Sequence, residues 1–451
     1  MNTKALRQKI LDLAIHGKLV PQDPNDEPAS VLLERIRAEK ERLVKEGKIK
    51  RPKKTKATSD KPHYPYELPE GWCWCNLNEI AESSLGKTLD KSKNTGKVYP
   101  YLCALNVKWN AFDLSVVKSI KLEDNEKERY QVLKGDLLIC EGGDVGRSAI
   151  WNSNEPIYFQ NALHRVRFFG NIVADFYLYL FWCYKNYNWI DDICNGVTIK
   201  HLTQDKINAL HLPLPPVAEQ QRIVIEVKKW FVLIDQIEQI ENNLQSTIKQ
   251  TKSKILDLAI HGKLVPQDPT DEPASELLKR INPKAEITCD NGHYQKLPEG
   301  WAVCQLDSII SYEQPTPYIV KSTDYDNTYT TPVLTAGKSF IIGHTNETNG
   351  VYEKLPCIIF DDFTTDSKLV DFPFKVKSSA MKILQVKEDI NIEYIAMFMS
   401  ITRLIGDTHK RYWISEYSKI EIPIPPQNEQ DRIVKKVRLL LSRLDEIMEN
   451  L

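Results

Sequence analysis

Polar loops in this 451-residue chain carry residue types that could bind an anionic ligand. The first is the glycine-rich turn EGGDVGR at 141–147, which follows the apolar segment 135–140 and ends at Arg147. Glycines let the backbone approach a phosphate or a base edge, and an adjacent arginine can donate to either. The same sequence equally fits a purely structural β-turn. The second loop, CNGVTIKH at 194–201, precedes a predicted helix and carries Thr198, Lys200 and His201.

A third loop, FDDFTTDSKL at 360–369, combines carboxylates, hydroxyls and a lysine. Asp361, Asp362, Asp366 and Lys368 bear a faint likeness to the triad of a metal-dependent nuclease. Their spacing is too tight for such a triad, and all of them share one loop, so the nuclease interpretation is the weakest one. A basic and aromatic segment, THKRYW, follows at 408–413.

Other catalytic patterns are absent from the sequence. It contains no GxxxxGK[ST] phosphate loop, no glycine-rich loop followed by [ND]PP[YF], and no HExxH or GxSxG. The nine cysteines are an odd, scattered set, and the tightest pair, Cys73 and Cys75, lies in an alternating strand-like segment. We therefore expect no disulfide framework, no metal site and no cofactor bound by this chain.

The overall charge does not indicate a nucleic-acid partner, because the formal net charge is −1. The strongly basic stretch at 45–61 contains Pro52, is followed by Pro62 and has few apolar residues, which favours a solvated linker over a dedicated nucleic-acid contact. The sequence has no apolar run long enough to span a membrane, and its first residues lack the apolar core of a signal peptide. We expect a cytoplasmic protein.

An internal repeat determines the expected architecture. Residues 9–36 recur at 254–281 with differences only at Asn25/Thr270, Val31/Glu276 and Glu34/Lys279. LPEGW occurs at 68–72 and at 297–301, and a PxPPxxEQxRIV segment occurs at 212–224 and at 422–434. The blocks between these segments show little resemblance to each other. Nearly identical frames around unlike blocks indicate that the blocks define what is recognised.

The segments that follow each PPxxEQ predict long helices. In the first, over 218–261, a 3-4 pattern links Ile223, Val227, Trp230, Ile234, Ile237, Leu244, Ile248, Ile255 and Leu258. In the second it links Ile433, Val437, Leu440, Leu444, Ile447 and Leu451, and Leu6, Ile10 and Leu13 continue it at the N-terminus. A seam of this length favours helix pairing. We expect the C-terminal helix to run antiparallel to the central one, with the N-terminal helix completing it in a circularly permuted, approximately two-fold arrangement.

Each repeat copy is expected to end in a further helix. Asn25 or Asp26 is the expected cap of the first of these helices, and Pro28 suits its first turn. His16 and His261 lie beside glycine and are expected to be capping or turn residues.

We expect an α+β fold in which two mixed α/β domains are joined by two long antiparallel coiled-coil helices. The expected order is a helical frame at 1–45, a basic linker at 46–62, a first variable domain at 63–212, a central helical spacer at 213–282, a linker at 283–295, a second variable domain at 296–422 and a C-terminal spacer helix at 423–451.

The LPEGW and PxPPxxEQxRI segments, the LAxxGKLVPQ frame and the two unlike blocks together resemble type I restriction-modification specificity subunits. The resemblance covers essentially the whole chain. It implies two target-recognition domains that each read one half of a split double-stranded DNA sequence, and helices that dock two methyltransferase subunits. Restriction and translocase subunits are implied as further partners. The resemblance implies that S-adenosylmethionine, ATP and magnesium are bound by partner subunits and not by this chain. It also implies that this chain is not an enzyme.

Candidate DNA-contact residues follow from the polar loops and the resemblance. They are Lys87, Asn106, Lys108, Arg147, Thr198, Lys200, His201, Asp362, Thr364, Thr365, Lys368, Lys377, His409, Lys410 and Arg411. The two variable domains, 63–212 and 296–422, are slightly acidic, so we expect DNA affinity to depend on local basic loops and on the partner subunits. The alternatives are a scaffold whose blocks bind proteins and a solitary nuclease that uses the loop at 361–368.

Overall fold

The structure is a computed structural model that describes residues 1–47, 66–90, 95–194, 200–289, 297–335, 339–404 and 410–451. The chain forms two compact units, Met1–Gln239 and Ile240–Leu451. Both contain helices and sheets, as the predicted α+β class requires. None of the described helices combines the length and apolar character needed to cross a bilayer.

The first unit contains two helices of the frame followed by an α/β domain. Its elements are α1 (Thr3–Ile15), α2 (Ala29–Lys45), β1 (Cys73–Asn76), α3 (Leu77–Ile80), β2 (Ala81–Leu85), β3 (Lys97–Leu102), β4 (Val107–Lys108), β5 (Ala111–Phe112), β6 (Lys118–Leu122), α4 (Lys127–Tyr130), β7 (Gln131–Val132), β8 (Leu137–Cys140), β9 (Ser148–Ile150), β10 (Ile157–Phe159), β11 (Leu163–Phe168), α5 (Ala174–Asn186), α6 (Trp189–Ile193), α7 (Gln204–Asn208) and β12 (His211–Leu214). The strand orders are β6-β3-β10-β7, β2-β11-β8-β9, β4-β5 and β1-β12.

The long helix α8 (Val217–Ile260) begins in the first unit and ends in the second. The second unit continues with α9 (Ala274–Ile281), β13 (Ala302–Gln305), β14 (Ile310–Glu313), β15 (Thr331–Leu334), β16 (Ile341–Thr345), β17 (Cys357–Asp361), β18 (Ser367–Val370), β19 (Lys375–Val376), β20 (Met381–Val386), α10 (Ile392–Ile401), β21 (Glu421–Ile424) and α11 (Gln427–Glu449). Its strand orders are β14-β20-β17-β18, β16-β15-β19 and β13-β21.

Each variable block is closed at its base by a two-stranded antiparallel neck. In the first unit β1 pairs with β12, with Cys73 opposite Leu214. In the second unit β13 pairs with β21, with Ala302 opposite Ile424. The two registers are equivalent when the LPEGW and PxPPxxEQ segments are aligned, so each block enters and leaves its unit through the same geometry although the sheets above the necks differ.

The LPEGW tryptophan and the glutamate of PPxxEQ form a buried pair beside each neck. The Trp72 indole N–H donates to Glu219 Oε2 at 2.8 Å, and the Trp301 indole donates to Glu429 Oε2 at 3.1 Å. Both glutamates are 1% exposed, and burial raises the pKa of each carboxyl above its ordinary value. A buried acceptor is costly without a donor, which explains why tryptophan and glutamate occur together in both copies.

The glutamine of EQxR also has the same hydrogen-bond partners in both copies. The Gln220 side chain accepts from Val173 N at 3.0 Å, at the start of α5, and donates to Pro215 O at 2.8 Å. Gln430 repeats this with the backbone N–H of Asn391 and the carbonyl of Pro425. The glutamine therefore joins the core helix of the block to the neck.

The arginine of EQxR binds the repeat loop, which corrects one prediction. Arg222 Nη2 lies 2.6 Å from Asp26 Oδ2, and Arg432 Nη2 lies 2.7 Å from Asp271 Oδ2. Asp26 is thus an ion-pair partner rather than the cap of α2, whose N-cap position is Pro28 without a side-chain hydrogen bond. His16 does cap α1, with Nδ1 2.7 Å from Asp12 O.

The helix seam is present within each unit. In the first, Ile223, Val227 and Ile234 of α8 are buried with Ile10 of α1. In the second, Ile255 of α8 and Val437 of α11 are buried in the same core, and the contacts of Lys252 with Asp445 and of Gln267 with Glu429 show that the two segments run antiparallel. The prediction of Trp230 in the seam was wrong. Trp230 is 38% exposed, whereas its neighbour Phe231 is buried. Because a helix turns by about 100° per residue, adjacent side chains point in different directions, and here Phe231 points into the core.

We expect Trp72→Phe to destabilise the protein by about 1–3 kcal/mol, because the aromatic packing is kept while buried Glu219 loses its donor. Chemical denaturation followed by circular dichroism measures the change. Trp301→Phe should behave alike, and Trp230→Phe, on the exposed face of α8, is the control with little effect. Equal midpoints for all three variants would show that the indole–carboxylate pair does not hold the frame.

Candidate nucleic-acid interface

The glycine-rich turn at 141–147 connects two buried strands of the first unit. All four residues of β8 are buried, and the turn returns the chain to β9. Gly143 and Gly146 have φ of +75° and +86°, a region that glycine adopts without strain. A Cβ on Gly146 would lie 2.8 Å from Ile190 Cδ1, so the turn is seated directly on α6. The turn is therefore packed against α6 at Gly146 and exposed at Gly143 and Asp144.

Arg147 is held in place by two contacts. Its Nη2 donates to Ala104 O at 2.9 Å, and its Nη1 lies 3.3 Å from Asp144 Oδ2. Asp144 also lies 3.5 Å from Lys185, whose Nζ is 2.9 Å from Asp191. The arginine is thus the first member of a chain of charges rather than an isolated cation.

The same chain of charges reaches the second predicted loop. Lys200 Nζ lies 3.5 Å from Asp191 Oδ1, and Lys200 is half exposed. Arg147, Lys185 and Lys200 are therefore linked through two carboxylates, Asp144 and Asp191, and Glu141 adds a third carboxylate near His201. Sequence analysis missed Lys185 because it lies on α5, away from either loop in the sequence.

His201 lies directly against the glycine-rich turn. An isolated bridge joins His201 to Gly142, and Leu202 N donates to Glu141 O at 2.9 Å. Behind it, buried His164 places Nε2 2.7 Å from Leu202 O, and burial lowers the pKa of that imidazole to about 4. The structure therefore brings Arg147, Lys200 and His201 together. Thr198 lies outside the described residues.

The remaining candidates of the first unit have different surroundings. Lys87 is buried and pairs with Glu126. Asn106 is buried and bonds the backbone of its own loop. Lys108 is exposed, with Nζ 4.0 Å from Asp113. The buried positions of Lys87 and Asn106 follow from tertiary packing, which their spacing in the sequence does not reveal.

In the second unit, the acidic loop forms the turn between β17 and β18. The carboxylate of Asp361 accepts from Thr364 Oγ1 at 2.5 Å and from Phe363 N at 3.1 Å. Thr365 is buried with φ of +57°, and its hydroxyl accepts from Leu404 N at 3.1 Å. Thr364 is exposed at the tip.

Asp362 connects this loop to the later basic and aromatic segment. It is buried, its Oδ1 accepts from Trp413 N at 2.7 Å, and its Oδ2 lies 3.6 Å from Lys382 Nζ. This contact places exposed Arg411 over the Phe363 ring at 5.8 Å. Lys410 is exposed and pairs with Glu416. The two predicted loops of the second unit thus lie side by side, while His409 is outside the described residues.

Two lysines extend this surface. Lys368 is exposed with its Nζ 4.5 Å above the Phe340 ring, and Lys377 is exposed while its N–H bonds Leu334 O at 2.8 Å. Arg403, which the sequence analysis missed, pairs with Asp366. Its own charge is its only signal in the sequence, because residues 404–407 (LIGD), between it and THKRYW, contain no basic residue.

The carboxylates of the acidic loop have separate partners: Asp361 bonds Thr364, Asp362 bonds Trp413, and Asp366 pairs with Arg403. Across the described ranges, no group of three or more His, Cys, Asp or Glu side chains is arranged to hold a metal ion.

Comparisons with known proteins agree with this architecture. Residues 69–249 and 298–451 match the family described as the type I restriction modification DNA specificity domain. The chain is 28% identical to the type I restriction enzyme EcoAI specificity subunit of Escherichia coli, over 98% of this chain and 90% of that one. It is 30% identical to the EcoEI specificity subunit of Escherichia coli, over 68% of this chain and 62% of that one.

A solved structure shares the fold. It was described for complex assembly and conformational transition of the type I R-M system, and it aligns with a TM-score of 0.59 at 15% identity over 86% of this chain and 94% of that one. The family match covers well over half of the sequence and includes both variable blocks. The protein therefore belongs to the family of type I restriction-modification DNA specificity subunits.

Proposed function

We propose that this chain is the non-catalytic subunit that reads DNA sequence for a type I restriction-modification complex, with each variable block reading one half of a bipartite, asymmetric target. The observation that carries the proposal is the combination of one repeated frame with two unlike blocks. The frame repeats contact by contact, as in Trp72–Glu219 and Trp301–Glu429, whereas the sheets above the necks differ in strand number and order. Two blocks that differ in their sheets and loops but stand on equivalent frames would each read a different DNA sequence.

In each block, the surfaces described above provide the chemistry for reading DNA. In the first, Arg147 and Lys200 stand beside a glycine-rich turn. In the second, Arg411, Lys368 and Lys377 are exposed around the acidic loop. Arginine can donate two hydrogen bonds to a guanine edge, and lysine binds phosphates.

The frames would provide the docking sites for partner subunits. Because the frame occurs twice, it offers two equivalent surfaces, and we propose that two methyltransferase subunits bind one chain. Restriction and translocase subunits would join through these methyltransferases. S-adenosylmethionine, ATP and magnesium would be bound by the partner subunits. Methylation of a base would require flipping that base out of the duplex.

The contact residues can be tested by alanine substitution in the assembled complex. Arg147→Ala should cost about 1–3 kcal/mol of binding free energy and relax the sequence requirement at one position. Lys200→Ala should weaken binding to all sequences and reduce the salt slope by about one, since it removes a phosphate contact. Lys410→Ala and Arg411→Ala test the second block in the same way.

Gel-shift assays over a salt series, with specific and random DNA and with and without methyltransferase, measure these effects. Lys134→Ala, at the opposite end of β8 from Arg147, is the matched control. Unchanged affinity and unchanged target in all four variants would show that the DNA face lies elsewhere.

The length of the helices should set the gap between the two half-targets. Seven residues inserted near Leu244 of α8, matched by seven in α11, keep the apolar seam in register and add about 10.5 Å of helix. Base pairs rise about 3.4 Å each, so methylation mapping should find the unread gap longer by about three base pairs with both half-sequences unchanged.

The inserted gap also rotates the second half-site by about 100°, which the docked subunits must tolerate. The control is a five-residue insertion, which turns the seam by about 140° and should abolish activity. An active seven-residue variant that methylates at the original gap would show that the helices do not measure the DNA, and would favour the scaffold alternative.

A further inference from the structure

A cluster of apolar side chains faces solvent in the first unit, on the segment between β3 and β6. We call it the apolar loop patch. Leu105 is 71% exposed and Val116 is 69% exposed, with Leu114 and Val117 also exposed. Apolar area left in water is unfavourable, and contiguous exposed apolar patches commonly mark interaction sites.

The apolar loop patch is held in a fixed conformation by Asn106. This buried side chain accepts from Cys103 N at 3.0 Å and donates to Asp113 O and Val116 O, both at 2.9 Å. The backbone adds a bond from Asp113 N to Asn106 O at 2.8 Å. The loop is therefore pre-organised, and its apolar side chains remain exposed because the backbone is held by polar contacts rather than by burial.

The apolar loop patch adjoins the candidate DNA surface. Ala104, the residue before Leu105, accepts the hydrogen bond from Arg147, and Asn110 N donates to Ser148 O at 3.0 Å. Exposed Lys108 and Lys118 flank the patch. The nearby carboxylate of Asp113 accepts from the Ser115 hydroxyl at 2.6 Å and the Ser115 N–H at 3.1 Å, and it lies 4.0 Å from Lys108 Nζ.

We propose that the apolar loop patch is part of the DNA interface, where Leu105 and Val116 pack against apolar base edges such as thymine methyl groups, or against sugars, of the half-target read by the first block. This inference rests on the proposed function. A duplex offers such apolar groups between charged phosphates, and the patch presents apolar groups between Arg147, Lys108 and Lys118. Arg147 and Lys108 each lie within 4.0 Å of a carboxylate, Asp144 and Asp113 respectively, and exposed Lys118 adds a further cation, so this edge of the patch favours an anionic partner.

The double variant Leu105→Ser with Val116→Ser tests the proposal in the assembled complex. It should lower affinity for specific DNA by about tenfold, which is the loss expected for two apolar contacts. The salt slope should not change, because no phosphate contact is removed. Leu133→Ser is the control, since Leu133 is exposed at the other end of β8, and it should bind as the wild type does.

A photo-crosslinker provides a second measurement that does not depend on affinity. Leu105→p-benzoylphenylalanine should crosslink to DNA within the half-target assigned to the first block. Unchanged DNA affinity without such crosslinks, or crosslinks to a protein subunit instead, would overturn the inference while leaving the proposed function intact. Absence of sequence-specific DNA binding by the wild-type complex would overturn the proposed function itself.

Discussion

The rest of each unit depends on one buried contact, the hydrogen bond from the LPEGW tryptophan to the glutamate of PPxxEQ. Glu219 lies in the first turn of α8, where the helix dipole favours a carboxylate, but its burial raises the pKa of the carboxyl. The hydrogen bond from the Trp72 indole offsets part of the cost of burying this carboxylate. The bond forms only when the first residues of the block lie at one position relative to α8. The pair thus fixes the start of the block against the start of the helix that follows it.

Together with this contact, the repeated frame fixes each block at its two neck strands. It does not constrain the sheets and loops beyond the necks. The neck strands pair in equivalent registers, and Gln220 and Gln430 bond equivalent backbone groups. Beyond the necks, the described part of the first block carries two four-stranded sheets and the two-stranded sheet β4-β5, and that of the second carries one sheet of four strands and one of three. Sequence changes in a block can therefore alter the exposed loops while the frame remains intact, as a subunit that sets specificity requires.

The repeat is visible in the sequence itself. The helices and the α+β class could be predicted because helices and strands each impose a local periodicity on the apolar residues. Sequence analysis did not separate Trp230 from Phe231, since both are apolar and only packing selects which one is buried. Nor did sequence analysis distinguish Arg147, held beside its turn, from Lys87, which is buried and paired with Glu126. Charged residues in loops look alike in a sequence, whereas their partners come from distant strands.

In the function we propose, the frame holds each block in place and the block reads the DNA sequence, and exchanging blocks tests this directly. In one variant, residues 306–420 would replace residues 77–210, so that both necks carry the second block on unchanged frames. The account predicts that the variant folds, assembles with its methyltransferases and methylates a target whose two half-sequences are both the one read by the second block. Methylation of the original asymmetric target by this variant would contradict the account, because specificity would then reside in the frame.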